Sequence, residues 1–551
     1  MMKKFISILL VFAAIICIST NLFSQITITD DGSGTGTTTW TNDNIYILDG
    51  FVFVNSGDIL TIEPGTVIKG KSGSGASASA LIVARGGKIF ANGTSDSPII
   101  FTFENDALDG STPYNIRGQW GGVIILGNAQ LNSTPGETQI EGIPDTESRG
   151  RYGGNDDMDN SGSMSYVSIR HGGTDIGAGN EINGLTLGGV GSNTNFDHIE
   201  VISNADDGVE FFGGTASIKY VLTAFCGDDS FDYDEGWRGY GQYWCTIQEE
   251  GEGDRGGEHD GGTDPEDGLP YAHPIIYNAT YIGQGSTAGK RALTLRDNAA
   301  GEYHNSIFYG WGKGFDVENL ASGEDSYARL TNDEIVFEGN VFDQCTAEGL
   351  NATSSDLFTI SMGSGWSSES DSTEAANNSS SVFQAIFDEN DNSVASTGIN
   401  NTIIQGAGLL NLIPTVALPV GSSAELDWFE TNSYPGAFDP NLECTWLDGW
   451  SMLSERGFIS CDASNIDEAI KSKFSIFPNP TNGQFSIYFE AALENSSVNI
   501  IDLNGRLVYQ NTKDVSAGEI VNIDLMNLSE GMYLVNIFSD NQIQYSKIII
   551  E

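Results

Sequence analysis

Positively charged residues are scarce in this chain. Its 551 residues include 24 lysines and arginines against 75 aspartates and glutamates, which gives a formal net charge of −51 at pH 7. A polyanion of this kind does not bind nucleic acid or an anionic membrane through general electrostatics, because both carry charge of the same sign. Carboxylate oxygens are instead the ligands that calcium prefers. The composition therefore argues against nucleic acid as a partner. The excess carboxylates either form a solvated, self-repelling surface or are partly neutralised by divalent cations, and charge alone does not distinguish the two.

Histidine and cysteine are also scarce. The five histidines are scattered and no Cys-x-x-Cys pair occurs, so the sequence does not predict a structural zinc site. Five cysteines lie beyond the N-terminal segment, and an exported protein can oxidise them. Either Cys226 with Cys245 or Cys444 with Cys461 is spaced to form a disulfide, which would leave Cys345 as a free thiol.

Long hydrophobic runs are absent after the first residues. The chain begins Met-Met-Lys-Lys, residues 5–18 are apolar and residues 19–25 are polar, which is the pattern of a secretory signal peptide cleaved near Ser24. The apolar core is too short to span a bilayer comfortably, and no later run exceeds it. We therefore predict a signal peptide at residues 1–24 and a mature chain without a transmembrane segment.

Short β-rich runs separated by Gly, Asn and Asp follow one another from about Ile45 onward. Each run has the length of a strand, and none shows helical periodicity. A 22-residue repeat aligns residues 206–211 with residues 228–233, so that Glu210 matches Asp232. A period near 22 suits one coil of a parallel β-helix, in which matching side chains stack at about 4.8 Å. The predicted fold is therefore all-β, a right-handed parallel β-helix.

A second repeat, over a longer distance in the sequence, supports the same fold. Residues 185–187 and residues 293–295 both read Leu-Thr-Leu, and each precedes a Gly-rich turn and an acidic strand. The later strand ends at residues 314–318, which places Asp316 in register with Asp232. The sequence thus predicts one column of acidic side chains that spans several coils.

Changes in composition predict the domain boundaries. Two stretches rich in polar or acidic residues do not resemble coils, and a stretch rich in aromatic residues follows them. A cap is expected there, because the end of a β-helix exposes an unpaired strand edge. The predicted domains are a signal peptide at 1–24, a β-helix at 25–462 with insertions at 249–267 and 351–381 (the second a mobile loop) and a cap at 428–461, a linker at 463–472, and a small Ig-like β-sandwich at 473–551.

The acidic column is the strongest candidate for a binding site. Like charges stacked one coil apart repel, so a cation, a proton or a basic neighbour must neutralise some of them. Calcium is the simplest answer, and the alternative is that the Asp-Asp pairs merely cap turns. The candidate calcium ligands in this column are Asp206, Asp207, Glu210, Asp228, Asp229, Asp232, Asp234, Glu235 and Asp316.

Two further motifs contain residues that could bind a metal or transfer protons. Asp157, Asp159 and Ser161 fit the start of a D-x-D-x-[DNS]-G calcium loop, although a serine in the twelfth position excludes a full EF-hand and a plain turn is the alternative. Residues 258–260, Glu-His-Asp, follow Arg255 and could form a general acid–base set, with an ordinary surface loop as the alternative.

The C-terminal module resembles the type A sorting domain of the type IX secretion system. Its landmarks are Phe477-Pro478-Asn479-Pro480, Asn482-Gly483, Leu503-Asn504-Gly505, Gly531-Met532-Tyr533 and Ile548-Ile549-Ile550. The resemblance implies that residues 473–551 contact the type IX translocon. It also implies export across the outer membrane of a Gram-negative cell, to the cell surface or the medium.

The middle of the chain resembles a family of exported bacterial β-helical proteins with no assigned activity. The matching stretches are residues 152–157, 166–170, 181–191 and 206–214. This resemblance supports the fold and implies no reaction.

Three functions are consistent with these observations. The leading hypothesis is a non-catalytic surface protein that binds glycans or other cells. The second is a calcium-dependent polysaccharide lyase or glycoside hydrolase, because β-helices host such enzymes and paired carboxylates hydrolyse glycosides. Asp228-Asp229 resembles the paired aspartates of polygalacturonase-like helices, but the Asn-Thr-Asp, Gly-His-Gly and Arg-Ile-Lys companions do not follow in order. The third hypothesis is a structural coat component.

Overall fold

A computed structural model describes residues 24–177, 181–461, 474–489, 496–502, 506–529, 531–539 and 542–550. The predicted signal peptide, apart from Ser24, lies outside the described residues. So do the predicted linker at 463–472 and the landmark Leu503-Asn504-Gly505.

One wall of the β-helix is a ten-stranded parallel sheet in which each strand comes from a successive coil. Most of its strands are four residues long, which suits a coil that turns at both ends of each strand. Its strands in order are β4 (Phe51–Val54), β7 (Ala80–Val83), β10 (Val123–Leu126), β14 (Leu185–Gly188), β16 (Val209–Phe212), β18 (Phe231–Asp234), β20 (Gly257–Asp260), β23 (Arg291–Arg296), β26 (Lys313–Asn319) and β29 (Phe358–Met362).

The remaining walls form an eighteen-stranded sheet. Its strands are β1 (Ser24–Ile28), β2 (Thr38–Trp40), β3 (Asn44–Leu48), β5 (Ile59–Ile62), β6 (Val67–Gly70), β8 (Lys88–Asn92), β9 (Ile99–Phe103), β13 (Gly162–Arg170), β15 (Asn195–Ile202), β17 (Ser217–Ala224), β19 (Tyr240–Ile247), β21 (Ile275–Tyr277), β22 (Thr280–Ile282), β24 (Gly301–His304), β25 (Ile307–Tyr309), β27 (Ile335–Glu338), β28 (Val341–Asp343) and β30 (Ser393–Val394). A separate short hairpin pairs β11 (Thr138–Gln139) with β12 (Arg151–Tyr152).

Side chains that point inward stack from coil to coil and form one continuous core. Phe211 lies against Trp237 and Trp244, with ring centroids 4.0 and 5.9 Å apart and nearly parallel planes. A single coil could not bury these rings, so the core exists only because neighbouring coils cover one another. The prediction of a parallel β-helix is confirmed.

One corner of the coil is turned by residues other than glycine. Tyr166, His198, Tyr220 and Tyr243 each interrupt a long strand with φ between 48° and 58°. Positive φ is unfavourable for residues with a side chain, so the surrounding structure must stabilise it. The four rings stack on one another with centroids 4.3 to 4.8 Å apart. The stacking favours this corner in four consecutive coils.

The predicted insertion at residues 249–267 is wrong. It contains β20, which pairs in parallel with β18 on one side and β23 on the other. Gly257 occupies the inward position that Val209 and Phe231 fill in earlier coils. Because Gly257 replaces a large apolar residue, the sequence here lacks the alternating pattern that indicates a strand.

The predicted mobile loop at residues 351–381 is also wrong. It contains α2 (Ser354–Leu357), β29, which is the last strand of the ten-stranded sheet, and most of α3 (Glu369–Glu389). Helix α1 (Ser326–Thr331) precedes it. Phe383 and Phe387 of α3 pack on Phe358, with centroid distances of 4.5 and 5.4 Å. Helix α3 therefore covers the C-terminal end of the stacked core.

The aromatic stretch at 428–461 does not form the predicted end cap. It belongs to a lateral segment, residues 395–461, that contains α4 (Met452–Glu455) and packs along the outside of the eighteen-stranded sheet. Trp450 contacts Tyr166, and Trp446 contacts Tyr220, at centroid distances of 5.5 and 5.6 Å. The aromatic residues cover the stacked corner rather than the exposed strand edge.

The lateral segment also contains the disulfide of the described structure. Cys444 and Cys461 are bonded, whereas Cys226, Cys245 and Cys345 are free and buried. Of the two pairings that the sequence allowed, the structure therefore has the C-terminal one.

The C-terminal residues form two antiparallel sheets, consistent with the predicted β-sandwich. One contains β31 (Phe474–Phe477), β32 (Gln484–Phe489) and β35 (Ile520–Asp524), and the other contains β33 (Ser497–Asp502), β34 (Leu507–Thr512), β36 (Gly531–Ser539) and β37 (Gln542–Ile550). In the described part of the chain, no helix has the length and hydrophobicity needed to cross a bilayer.

Candidate metal centre

Acidic side chains from consecutive coils lie in one column on the outer face of the ten-stranded sheet. Glu210 of β16 is in register with Asp232 of β18, which is in register with Glu258 of β20. Thr294 and Asp316 continue the same column. Because side chains alternate along a strand, the residues on either side of each carboxylate point into the core. The predicted register of Glu210, Asp232 and Asp316 is confirmed.

A second row of carboxylates lies in the turns that precede these strands. Asp207 and Asp229 are buried, at 7% and 2% exposure, and Asp206 and Asp228 lie further out. The backbone N–H of Asp229 donates to Oδ1 of Asp207 over 2.8 Å. Asp207 therefore does cap a turn, as the alternative interpretation predicted, but only one of its oxygens is used in this bond.

The two rows bring carboxylate oxygens close enough to share an ion. Oxygens bound to one calcium ion lie at most about 5 Å apart, because each Ca–O distance is about 2.3–2.6 Å. Within the described chain, four groups of three carboxylates each offer oxygens that are all within 4.8 Å of one another. They are Asp206–Asp207–Asp228, Asp207–Glu210–Asp232, Asp228–Asp229–Asp254 and Asp229–Asp232–Glu258.

Arginines neutralise one end of the column. Arg255 Nη1 lies 2.9 Å from Glu258 Oε1 and 3.3 Å from Asp229 Oδ2. Arg296 Nη1 lies 2.8 Å from the same oxygen of Glu258. These contacts remove the need for a cation at Glu258.

The other end of the column has no such partner. Across the described ranges, no lysine or arginine forms an ion pair with Asp207, Glu210 or Asp232. Glu210 accepts a hydrogen bond from the Asn183 amide, but Oδ1 of Asp232 is buried without any hydrogen-bond partner. A buried carboxylate oxygen without a donor is costly. We define Asp207, Glu210 and Asp232 as the acidic triad.

Burial and mutual repulsion raise the pKa of these carboxyl groups. Loss of hydration and then the neighbouring carboxylates raise the pKa of Asp207, Glu210 and Asp232 well above their usual values. The same causes raise the pKa of Asp206 to about 7. The site therefore favours either protons or a bound cation at neutral pH.

Three ligands predicted in the acidic column lie outside these four groups. Glu235 turns toward the short hairpin, where the Tyr152 hydroxyl donates to it over 2.5 Å. Asp234 accepts from the Thr263 hydroxyl over 2.7 Å. Asp316 lies three coils beyond Asp232 and accepts from the hydroxyls of Thr359 and Ser361, next to Arg291.

The residues of the second calcium motif have protein partners. Asp157 accepts from Arg238 and from the backbone of Gln130, each over 3.0 Å. Asp159 accepts from the Asn128 amide over 2.9 Å and from Ser161 over 3.2 Å. Both carboxylates thus accept hydrogen bonds from residues 128–130 of a neighbouring coil, and this arrangement favours the interpretation as a turn.

Residues 258–260 lie on a strand and do not converge as an acid–base set. Alternation places Glu258 and Asp260 outside and His259 inside, where its exposure is 1%. His259 stacks between Tyr233 and Tyr303, and its Nδ1 is 2.7 Å from the Tyr303 hydroxyl. Burial lowers the pKa of His259 to about 3. The hypothesis that these three residues form a general acid–base set is therefore wrong.

We expect His259 to weaken the fold at acidic pH. The unfolded state takes up a proton near pH 6.5 but the folded state does not, so this contribution to stability is lost as pH falls below 6.5. At pH 5 the loss is about 2 kcal/mol. Urea unfolding should show His259→Phe gaining about that much relative to the wild type between pH 7.5 and pH 5. Tyr303→Phe keeps the imidazole and should retain the wild-type pH dependence; equal slopes for His259→Phe and wild type would contradict the assignment.

Sequence reasoning missed three members of the site: Asp254, Glu258 and Asn183. Asp254 and Glu258 lie in the predicted insertion, although Gly-Glu-His-Asp repeats the alternation of β16 and β18 with a smaller and a more polar inward residue. Asn183 carries no charge and precedes β14 by two residues, so only the structure reveals its contact with Glu210.

Comparison with known families defines the class of protein first. Residues 32–397 match the model of the pectate-lyase-like β-helix domain, and residues 475–551 match that of the secretion system C-terminal sorting domain. The protein is thus a β-helix with a sorting domain of the type IX secretion system, which directs it to the cell surface or the extracellular space. The chain belongs to the pectate-lyase-like β-helix family. A search of curated proteins found no match.

Proposed function

We propose that this protein is a calcium-stabilised β-helix that binds glycans at the cell surface without cleaving them. The observation that carries the calcium assignment is the acidic triad, where three carboxylates share a volume that has no basic partner in the described structure. A divalent cation would neutralise the triad and supply a partner for Asp232 Oδ1. The ion would also join adjacent coils, because Asp207 and Glu210 come from one coil and Asp232 from the next.

A pocket beside the triad supports the glycan assignment. It measures about 430 Å³, within the range of pockets that bind small ligands. Its polar lining includes Asp234, Glu235 and the hydroxyls of Ser133 and Thr263, which suit a polyhydroxylated ligand. Phe212 and Ile140 add apolar surface of the kind that contacts a sugar ring. Asp234 and Glu235, which were predicted as metal ligands but lie outside the four groups, would then serve as acceptors for sugar hydroxyls.

We expect Asp234→Ala to weaken glycan binding about tenfold, because a hydrogen bond to a charged group contributes roughly 1.5–3 kcal/mol. The measurement is a glycan array with the mature protein, followed by titration of the best ligand in calcium and in chelator. Asp96→Ala removes an exposed carboxylate elsewhere and should bind like the wild type. Failure of every glycan to bind in calcium would overturn the proposal.

A calcium-dependent polysaccharide lyase is the second candidate. Arg255 and Arg296 lie beside the column carboxylates, where a guanidinium could stabilise the negative charge that develops when a base takes a proton from an acidic sugar bound through calcium. Incubation with acidic polysaccharides separates the two candidates, because a lyase creates unsaturated ends and a binding protein leaves the polymer intact. Neither binding nor cleavage would favour the third function, a structural coat.

A further inference from the structure

Buried side-chain nitrogens without hydrogen-bond partners lie where the lateral segment meets the β-helix. Arg456 follows α4 and is 5% exposed, yet its Nε, Nη1 and Nη2 have no hydrogen-bond partner. His171 follows β13 and is fully buried, and its Nε2 has no partner either. Nη1 of Arg170, at 1% exposure, likewise lacks a hydrogen bond of good geometry. Five nitrogens on three residues of one region thus make no hydrogen bond of good geometry.

Several contacts place these residues together. Glu455 lies between the two arginines, with Oε2 at 2.8 Å from Arg170 Nη1 and Oε1 at 3.6 Å from Arg456 Nε. The loop at residues 110–116 touches both Arg456 and His171. A Cβ atom added to Gly110 would lie 3.4 Å from Arg456 Nη1, and Ile116 O lies 2.7 Å from His171 Nδ1.

The acidic side chains of this region are committed elsewhere. Asp106 accepts from the hydroxyls of Thr102 and Thr112 and from a backbone N–H. Asp109 accepts from the backbone N–H of Ser111 over 2.9 Å. A guanidinium group has five N–H donors, and leaving them unsatisfied in the interior costs several kcal/mol. Glu455 alone, at 3.6 Å, does not satisfy them.

We propose that a small anion, either a halide or an oxyanion, binds against the guanidinium of Arg456 beside His171. The anion supplies acceptors for the N–H groups of Arg456 and ties the lateral segment to the loop at 110–116. The site is separate from the acidic column, since Arg456 belongs to the lateral segment and the column lies on the ten-stranded sheet. The chain has a formal charge of −51, so its overall electrostatics does not explain the binding of an anion.

The sign of one substitution separates an anion from plain solvation. If nothing but water meets Arg456, then Arg456→Met removes a costly buried charge and protects the lateral segment. If an anion is bound, the same variant loses the ion and the segment opens more readily. Arg456→Lys keeps the charge but has fewer N–H donors, so it is expected to bind the anion more weakly.

Hydrogen exchange of the mature protein measures this opening at residues 452–459. Sodium bromide and sodium sulfate are titrated separately, with ionic strength held constant by sodium gluconate. At concentrations above the dissociation constant, each tenfold rise in the concentration of the anion that binds should slow exchange about tenfold. Arg456→Met should abolish that dependence, while Arg151→Met, which removes an exposed guanidinium, should keep it.

The two salts identify the ligand. A response to bromide alone indicates a halide site, and a response to sulfate alone or to both indicates a site that accepts an oxyanion. The proposal would be overturned if the exchange rate at residues 452–459 does not change with either salt and Arg456→Met is more strongly protected than the wild type. Peptides from residues 531–537 of the sorting domain report any general effect of salt.

Discussion

Removing divalent cations should lower the stability of the protein at pH 7 and reverse the direction in which stability changes with pH. In calcium, deprotonation of the acidic triad is favourable, because the ion binds the carboxylate form. In chelator, the same deprotonation places three like charges in a buried volume. The unfolding midpoints measured with and without calcium should therefore diverge as pH rises.

The raised pKa values set the sign and the pH range. A carboxyl whose folded pKa exceeds its unfolded value stabilises the fold below the unfolded pKa, near 4, and that contribution is lost as pH rises toward the folded pKa. For Asp206 this range extends to about pH 7, and the pKa of each member of the triad is also raised well above its usual value. Each group contributes about 1.4 kcal/mol per pH unit across its range. His259 affects both curves equally, so the difference between them isolates the column.

One substitution tests the triad directly. Asp232→Asn removes a carboxylate that repels Glu210 and Asp207, so in chelator at pH 7 the variant should be more stable than the wild type. In calcium it should gain less from the ion, because one ligand charge is lost. Asp96→Asn is the matched exposed control and should behave like the wild type. Identical midpoints in calcium and chelator from pH 5 to pH 8 would remove the metal from the proposed function.

The sequence predicted the coil and its register because the repeat is local and strict. Glu210 and Asp232 are 22 residues apart, and each is flanked by large apolar or aromatic residues that alternate with it. That pattern determines which side chains face outward and hence which ones stack. The acidic column follows from periodicity alone.

The errors have a common physical origin, since burial in a β-helix depends on neighbouring coils. Gly257 fits an inward position because the His259 ring and Leu293 occupy the space beside it. His259 in turn stacks between Tyr233 and Tyr303, which no local pattern reveals. Likewise, Trp446 and Trp450 are aromatic because they cover the corner formed by His198 and its neighbours, whereas α3 closes the helix end. Composition indicated that the two tryptophans pack against something, but it could not show which surface they cover.

Unfolding the C-terminal module should abolish delivery to the cell surface while leaving the β-helix intact. The buried cluster of this module consists of residues between 474 and 550, and none of them belongs to the buried clusters of the β-helix. The β-helix therefore has its own core and does not need the sorting domain to fold. By contrast, export through the type IX system depends on the match at residues 475–551.

The matched pair Ile548→Asp and Met526→Asp tests this separation. Ile548 is fully buried and pairs with Tyr533 across β36 and β37, so a carboxylate there should cost about 4 kcal/mol or more, close to the whole stability of a small domain. Met526 is 56% exposed, and the same change should be tolerated. We expect surface display of Ile548→Asp to fall at least about tenfold, with protease-resistant β-helix retained in the periplasm, because an unfolded sorting domain cannot present its strands to the translocon. Normal display of Ile548→Asp would mean that the translocon recognises a linear segment, and loss of the β-helix as well would show that the two cores are not independent.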